Sequence, residues 1–395
     1  MRSLRIHLKR DYDVLASRYI CIYLILNTIN SVFQDVLQFT GRNLTIVKAV
    51  IAAIIFFFML STCNRLKRWQ WKALIFAELA ILLAFLYSIF AGVALSALSA
   101  WVIDMFVVCA PLACFIAFIN DKNVLYQKLI KTSWILLFLL TVNLFGQTGS
   151  NYDHHFSYCL LLVILLHINE LYKGKKKIYI AAIVAEMIMM MAHGARGAVF
   201  GIAAFIILKI LTHGKTSRRF LYMGLLGAFA AFIYMYLDKL INALYLFLRS
   251  QGFKGRSLQL LMNGEFLSHD SGRLELWELV TNLIKQRSLT GWGLRGAVER
   301  MEHPYPHNFF LDLVLTFGVP LGICLIIALL WPVRKVVTYE EGAAKDIMQI
   351  FFSCSFIMLM FSSTLFTNYY YFLFIGLAFS LKKRAASRSS DSSPG

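Results

Sequence analysis

Three short stretches place cationic or proton-exchanging side chains where long apolar runs begin. Residues 189–205 read MMMAHGARGAVFGIAAF, with Arg196 at the opening of one such run. Residues 271–280 read SGRLELWELV, with Arg273 at the start of a helical pattern. Residues 303–312 read HPYPHNFFLD, with His307 and Asn308 just ahead of another run. The first turn of a helix presents unpaired N–H groups and the positive end of the macrodipole, so with an arginine it makes a site for a multiply charged anion such as a phosphate or pyrophosphate. Imidazole exchanges a proton near neutral pH. The chemistry implied is stabilisation of an anionic group together with movement of a proton. Taken singly, each residue has a plainer reading: an arginine snorkelling to lipid headgroups, a structural histidine at a membrane boundary. Their conjunction on one side of the membrane singles them out.

The elements that must position them are membrane helices. Of 395 residues 59% are hydrophobic and only 15% charged, with a mean hydropathy of +0.66, so the solvent of this chain is a bilayer. About twelve segments are long and apolar enough to cross its hydrocarbon core: 19–38, 43–62, 73–93, 101–119, 129–147, 156–172, 177–193, 197–212, 220–240, 307–330, 347–364 and 367–381. The fold class is therefore an all-α polytopic integral membrane protein. Gly194 and Gly197 relax the backbone around Arg196, and Gly197 with Gly201 lets another helix approach closely.

The net charge of +18 raises the question of nucleic acid, and position answers it. The basic clusters MRSLRIHLKR, NRLKRWQWK, KGKKK, HGKTSRR, PVRK and LKKR fall in alternate loops, the positive-inside pattern, and none is interleaved with a stacking platform. Both termini are then cytoplasmic and residues 241–306 lie outside. The polar, basic start of the chain shows no cleavable signal peptide. Four regions follow: nine helices over 1–240, a large external loop over 241–306, three helices over 307–381, and a Ser-rich disordered tail over 382–395. The seven cysteines lack metal-ligand spacing and read as packing residues.

Within the loop, Leu276, Trp277, Val280, Leu283 and Ile284 recur at helical spacing, which predicts an amphipathic helix capped by Asp270 or Ser271 and ended by Gly291-Trp292-Gly293. Glu275 suits its first turn; Arg273 opposes the dipole there, unless an anion docks on both. Lys254 and Arg256, in FKGRS, either add positive field near the site or solvate the loop. Asp153, His154 and His155 form either a metal site or a solvated turn. Glu78 and Asp104 lie within spans, a turn or so from an end, and Lys48 and Glu186 are equally ambiguous.

These stretches resemble the bacterial O-antigen polymerase and O-antigen ligase superfamily, polytopic enzymes that handle lipid-linked glycans at the periplasmic face. GARGAVFG is similar to its short Arg-Gly segment opening a span, SGRLELWELV to its Arg-x-x-x-Trp loop segment, and HPYPHNFFLDLVLTFGVPLG to its His-Asn segment. The resemblance covers roughly residues 190–325; SLTGWGLRG keeps the family's turn glycines but lacks its proline. It implies a GT-C-like membrane glycosyltransferase in the bacterial inner membrane, with about twelve helices and one large periplasmic loop.

It also implies a glycan donor on undecaprenyl pyrophosphate, no cofactor and no metal, and a single, inverting displacement. Arg196 and Arg273 would steady the departing pyrophosphate, His307 would act as base or donor, and Asn308, Trp277 and Arg256 would contact substrate. Glu275, Glu278 and Asp312 are back-up bases. The leading activity is a polymerase that moves the growing chain onto the next lipid-linked repeat, with a ligase to lipid A-core and a lipid-linked oligosaccharide flippase as alternatives. A chain-length regulator and a flippase are the implied protein partners, alongside the lipid bilayer and with no nucleic acid.

Overall fold

The computed structural model describes residues 2–38, 40–146, 154–174, 177–193, 196–212, 242–251, 259, 262–263, 272–340 and 342–381. All the regular structure among them is helical. The chain runs through α1 (Arg2–Asp35), α2 (Gly41–Cys63), α3 (Arg68–Phe90), α4 (Leu95–Val102), a π-helical stretch (Ile103–Cys109), α5 (Ala110–Phe118), α6 (Lys122–Gly146), α7 (His154–Tyr172), α8 (Ile178–His193) and α9 (Arg196–Thr212). After a helical stretch at 242–250 come α10 (Arg273–Gln286), α11 (Val298–Met301), α12 (Phe309–Leu330), α13 (Arg334–Thr338), α14 (Ala343–Phe361) and α15 (Tyr369–Ser380).

Among the described residues, seven helices are long and apolar enough to cross a membrane: Asn43–Cys63, Arg68–Phe90, Leu95–Phe118, Lys122–Gly146, His155–Tyr172, Phe309–Thr338 and Ala343–Phe361. Three expected spans are shorter apolar helices, Ile178–Ala192, Gly197–Thr212 and Tyr369–Ser380. The expected span at 220–240 lies outside the described residues. The first expected span is the C-terminal part of α1, which sits inside the bundle: Tyr19, Ile20 and Leu24 are buried, and so are its polar Thr28 and Ser31. A helix that faces protein tolerates polar residues that a lipid-facing one cannot. On α2, by contrast, Val50, Phe57 and Leu60 are exposed to the surroundings that lipid would occupy.

Helix α7 is the axis of the bundle. Leu160 to Leu166 are all buried, and α6, α8, α9 and α14 pack around it. An apolar surface on every side is what a fully enclosed helix requires. Gly197 and Gly201 of α9 face it so closely that added Cβ atoms would come within 2.7 Å of Tyr158 Oη and 2.7 Å of Leu161 Cδ2. The close approach expected of these two glycines is thus against α7.

Two groups of charged side chains inside the bundle are partnered. Asp346 of α14 accepts from Lys209 of α9 at 2.5 Å and from Lys173, just past α7, at 2.6 Å. Glu186, ambiguous in sequence, is fully buried on α8, 2.6 Å from His167 Nδ1, while Ser133 Oγ lies 2.9 Å from the other ring nitrogen. Glu78 departs from expectation. With α3 starting at Arg68 it lies mid-helix, not near an end, and its Oε2 is buried without a hydrogen-bond partner among the described residues. Removing one member of a buried pair strands the other, at about 3–5 kcal/mol. Asp346→Ala is therefore expected to lower the unfolding midpoint of the detergent-solubilised protein sharply, and Asp346→Ala with Lys209→Met to recover part of the loss. Equal midpoints for Asp346→Ala and the parent would show the pair to be dispensable.

The apolar run expected as a continuous helix at 307–330 is broken. Gly318 has φ 78° and ψ 170°, and Pro320 follows two residues later. The break frees the carbonyls of Leu315 and Thr316, which Val319 and Pro320 would otherwise face, since proline has no N–H to give. The segment before α12 supplies the missing partners. Trp292 N–H donates to Leu315 O at 2.8 Å, Gly293 N–H to Thr316 O at 2.9 Å, and Val319 N–H to Ser288 O at 2.6 Å. Broken backbone at membrane depth persists only where protein re-satisfies it. The approach demands glycine: a Cβ on Gly291 would fall 2.4 Å from Gly318 N, and one on Gly318 2.4 Å from Leu289 O. The turn glycines of SLTGWG are therefore needed for this docking.

Candidate functional site

The loop helix α10 is held by its apolar stripe. Leu276, Val280 and Leu283 pack with Trp292, Ala297, Met301 and Leu315 into a small core separate from the main one, with Ile284 at its edge. Each fully buried aliphatic side chain contributes about 1.5–3 kcal/mol relative to exposure. Two expectations about this helix are corrected. Its N-cap position is Gly272, in the left-handed region at φ 77° with no side-chain cap, and Asp270 and Ser271 lie outside the described residues. It ends at Gln286, before Gly291, where Arg287 leaves helical geometry.

Arg273, the first residue of α10, faces the C-terminus of α14. Its Nη2 donates to Phe361 O at 3.0 Å, and its guanidinium lies 5.2 Å from the centre of the Phe361 ring. The last carbonyls of a helix lack partners and carry the negative end of the dipole. That electrostatic complement offsets the unfavourable place of Arg273 at the start of its own helix. Arg273 makes no ion pair with a carboxylate among the described residues.

His307 reaches the same atom: its Nδ1 is 3.0 Å from Phe361 O. A carbonyl oxygen has two lone pairs and only accepts, so it takes both donors, and Nδ1 carries the hydrogen. In the neutral ring the basic lone pair then belongs to Nε2. The backbone of His307 is left-handed, φ 54°, an uncommon state that histidine adopts more readily than most residues. Arg273 and His307, 34 positions apart in sequence, are thus placed on one oxygen.

The next carbonyl extends this ledge. Tyr305 Oη donates to Ser362 O at 2.7 Å, and its ring stands edge-on to His307 with centroids 4.5 Å apart. Burial raises the Tyr305 phenol above its usual range, the Asp312 charge adds to this, and Arg273 offsets part of it, so the hydroxyl remains a donor. Tyr158 Oη of α7 donates to Ser362 Oγ at 2.9 Å. Thr364 Oγ1 donates to Asp312 at 2.6 Å, tying the end of the turn to the first turn of α12.

The other expected site residues are placed as follows. Arg196 is the first residue of α9, and its side chain lies outside the described residues. Its neighbour Gly197 is at the ledge: a Cβ there would lie 3.5 Å from Phe361 Cβ. Asn308 caps α12, its Oδ1 accepting from Phe310 N–H at 3.0 Å and Leu311 N–H at 3.2 Å. Trp277 Nε1 donates to Pro306 O at 2.9 Å, bracing the segment that carries His307. Arg256 and Lys254 lie outside the described residues, as does Asp153. His155 lies 3.6 Å from Cys159 Sγ, and no metal-binding group of three His, Cys, Asp or Glu occurs among the described residues. Glu275 and Glu278 are exposed on α10, and Asp312 is buried.

Sequence reasoning missed Phe361, Ser362, Tyr305 and Tyr158. The available signal was FSST, a polar break near the end of an apolar segment. A cavity of about 1210 Å³, lined by Asn64, Lys67, Lys122 and Gly342 among others, opens at the opposite end of the bundle and includes none of the residues on the ledge.

The family model described as O-Antigen ligase (Wzy_C) matches residues 178–326, a segment that spans Arg196, Arg273 and His307. No curated protein and no solved structure matches the chain. Residues 178–326 are thus similar to the O-antigen ligase family, and the apolar helices fit a multi-pass membrane protein.

Proposed function

We propose that the chain is a polysaccharide polymerase, transferring a growing glycan from undecaprenyl pyrophosphate to the next lipid-linked repeat on the periplasmic side of the bacterial inner membrane. The observation that carries this reading is the meeting of Arg273 and His307 on Phe361 O beside the start of α9. Breaking a sugar–pyrophosphate bond develops negative charge on the leaving group. Guanidinium groups fixed in advance stabilise that charge more in the transition state than in the ground state. The acceptor hydroxyl loses a proton as it attacks, and the Nε2 lone pair of His307 receives it. Attack opposite the leaving group inverts the anomeric centre. Arg196, opening α9 at the same ledge, is the second cation for the pyrophosphate.

A ligase shares this donor chemistry and differs only in its acceptor, and the family match supports either activity. Deleting the chain separates the two. A polymerase deletion leaves lipopolysaccharide capped by a single repeat; a ligase deletion leaves bare core and accumulates carrier-linked polymer. The first pattern is expected, and the second would replace the polymerase reading by the ligase one.

A further inference from the structure

The ledge that orients Arg273 and His307 is a helix end, and a helix end moves unless something fixes it. Ser362, the C-cap of α14, is the residue through which it is fixed. Its carbonyl accepts from Tyr305, in the segment that carries His307, and its hydroxyl oxygen accepts from Tyr158 of α7. Ser362 and Tyr158 are both buried. The Tyr158 hydroxyl also meets Gly197, whose Cβ position is 2.7 Å from Oη. The Tyr158–Ser362 hydroxyl contact thus lies beside the first turn of α9, where Arg196 begins, and one residue from the Phe361 carbonyl that holds Arg273 and His307.

We propose that Ser362 and Tyr158 are positioning residues of the transfer site, setting the spacing between the α9 N-terminus and the Phe361–Ser362 ledge through their hydroxyl pair. This inference rests on the transfer reading above. Neither side chain needs to touch substrate. Their effect is on geometry, and catalytic groups that act on the transition state are sensitive to displacements of about 1 Å, which can lower rates on the order of 100-fold. Ground-state binding of the lipid and the distal sugars depends on other surfaces and is left nearly intact, so the signature is a loss in kcat with KM preserved.

The test uses the full chain in lipid nanodiscs, supplied with an undecaprenyl-diphosphate-linked repeat unit extracted from cells deleted for it. Ser362→Ala and Tyr158→Phe are each expected to lower kcat per folded molecule about 10- to 100-fold, with KM within about twofold. Ser362→Thr, which keeps the hydroxyl, recovers most of the rate. The double variant is no worse than either single one, because both remove the same contact. Parental kcat in both single variants, losses that multiply in the double variant, or losses that follow a fall in folded protein would each overturn the inference. Arg273→Ala in the same assay separates the two levels: parental activity there defeats the transfer reading itself, whereas an inactive Arg273→Ala beside a fully active Ser362→Ala defeats only the positioning role.

Discussion

Arg273→Ala is expected to lower kcat/KM by about 10²- to 10³-fold, the range seen when one preorganised donor to a developing oxyanion is removed. The physical warrant is that the guanidinium is already oriented. One of its five N–H donors is fixed on Phe361 O at 3.0 Å and its plane rests near the Phe361 ring, so little reorganisation is left for the moment of reaction. Arg273→Lys should restore little, because a point charge can occupy the carbonyl or the ligand but cannot present a planar fork to both. The competing reading is a cap for the C-terminus of α14. A charged hydrogen bond of that kind contributes about 1.5–3 kcal/mol to folding, so its loss would appear as a lower unfolding midpoint with normal turnover in the protein that remains folded. Turnover per folded molecule therefore decides between them. Arg196→Ala is expected to behave in the same way, and unimpaired turnover in either variant would remove that residue from the site.

How much of this was legible in the sequence varies with the kind of interaction involved. The membrane helices and the amphipathic α10 follow from local pattern, since apolar length and helical spacing are properties of contiguous residues. The break at Gly318 was hidden for the opposite reason. Leu315 and Thr316 lose their helical partners locally, but the groups that replace them come from 288–293, some 25 residues upstream, and no local pattern announces such a pairing. Glu186 was ambiguous because its partner, His167, lies on another helix. The ledge was least legible. Phe361 takes part through its carbonyl oxygen, which every residue possesses, so its side chain gives no hint of the role. Ser362 is one more polar residue in FSST until α7 and the segment before α12 bring two tyrosines to it.

His307 offers the sharpest separation of chemistry from architecture, because its two nitrogens do different things. Nδ1–H anchors the ring on Phe361 O at 3.0 Å, and the lone pair on Nε2 is the proposed base. Asparagine places an amide N–H near where Nδ1 stands, and it is among the few residues that tolerate the left-handed backbone found at φ 54°. His307→Asn thus keeps the anchor and the backbone state while removing the base. Alanine removes all three, and the left-handed state alone disfavours it by about 1–2 kcal/mol. If His307 is a base, both variants fall about 10²- to 10⁴-fold in kcat, but only the alanine variant unfolds more easily. If His307 serves only to hold the HPYPHN segment against α14, the asparagine variant keeps its activity. Single-turnover transfer measured beside thermal unfolding distinguishes the outcomes, and an active His307→Asn would move the search for the base to Asp312, buried one turn into α12 and tied to Thr364.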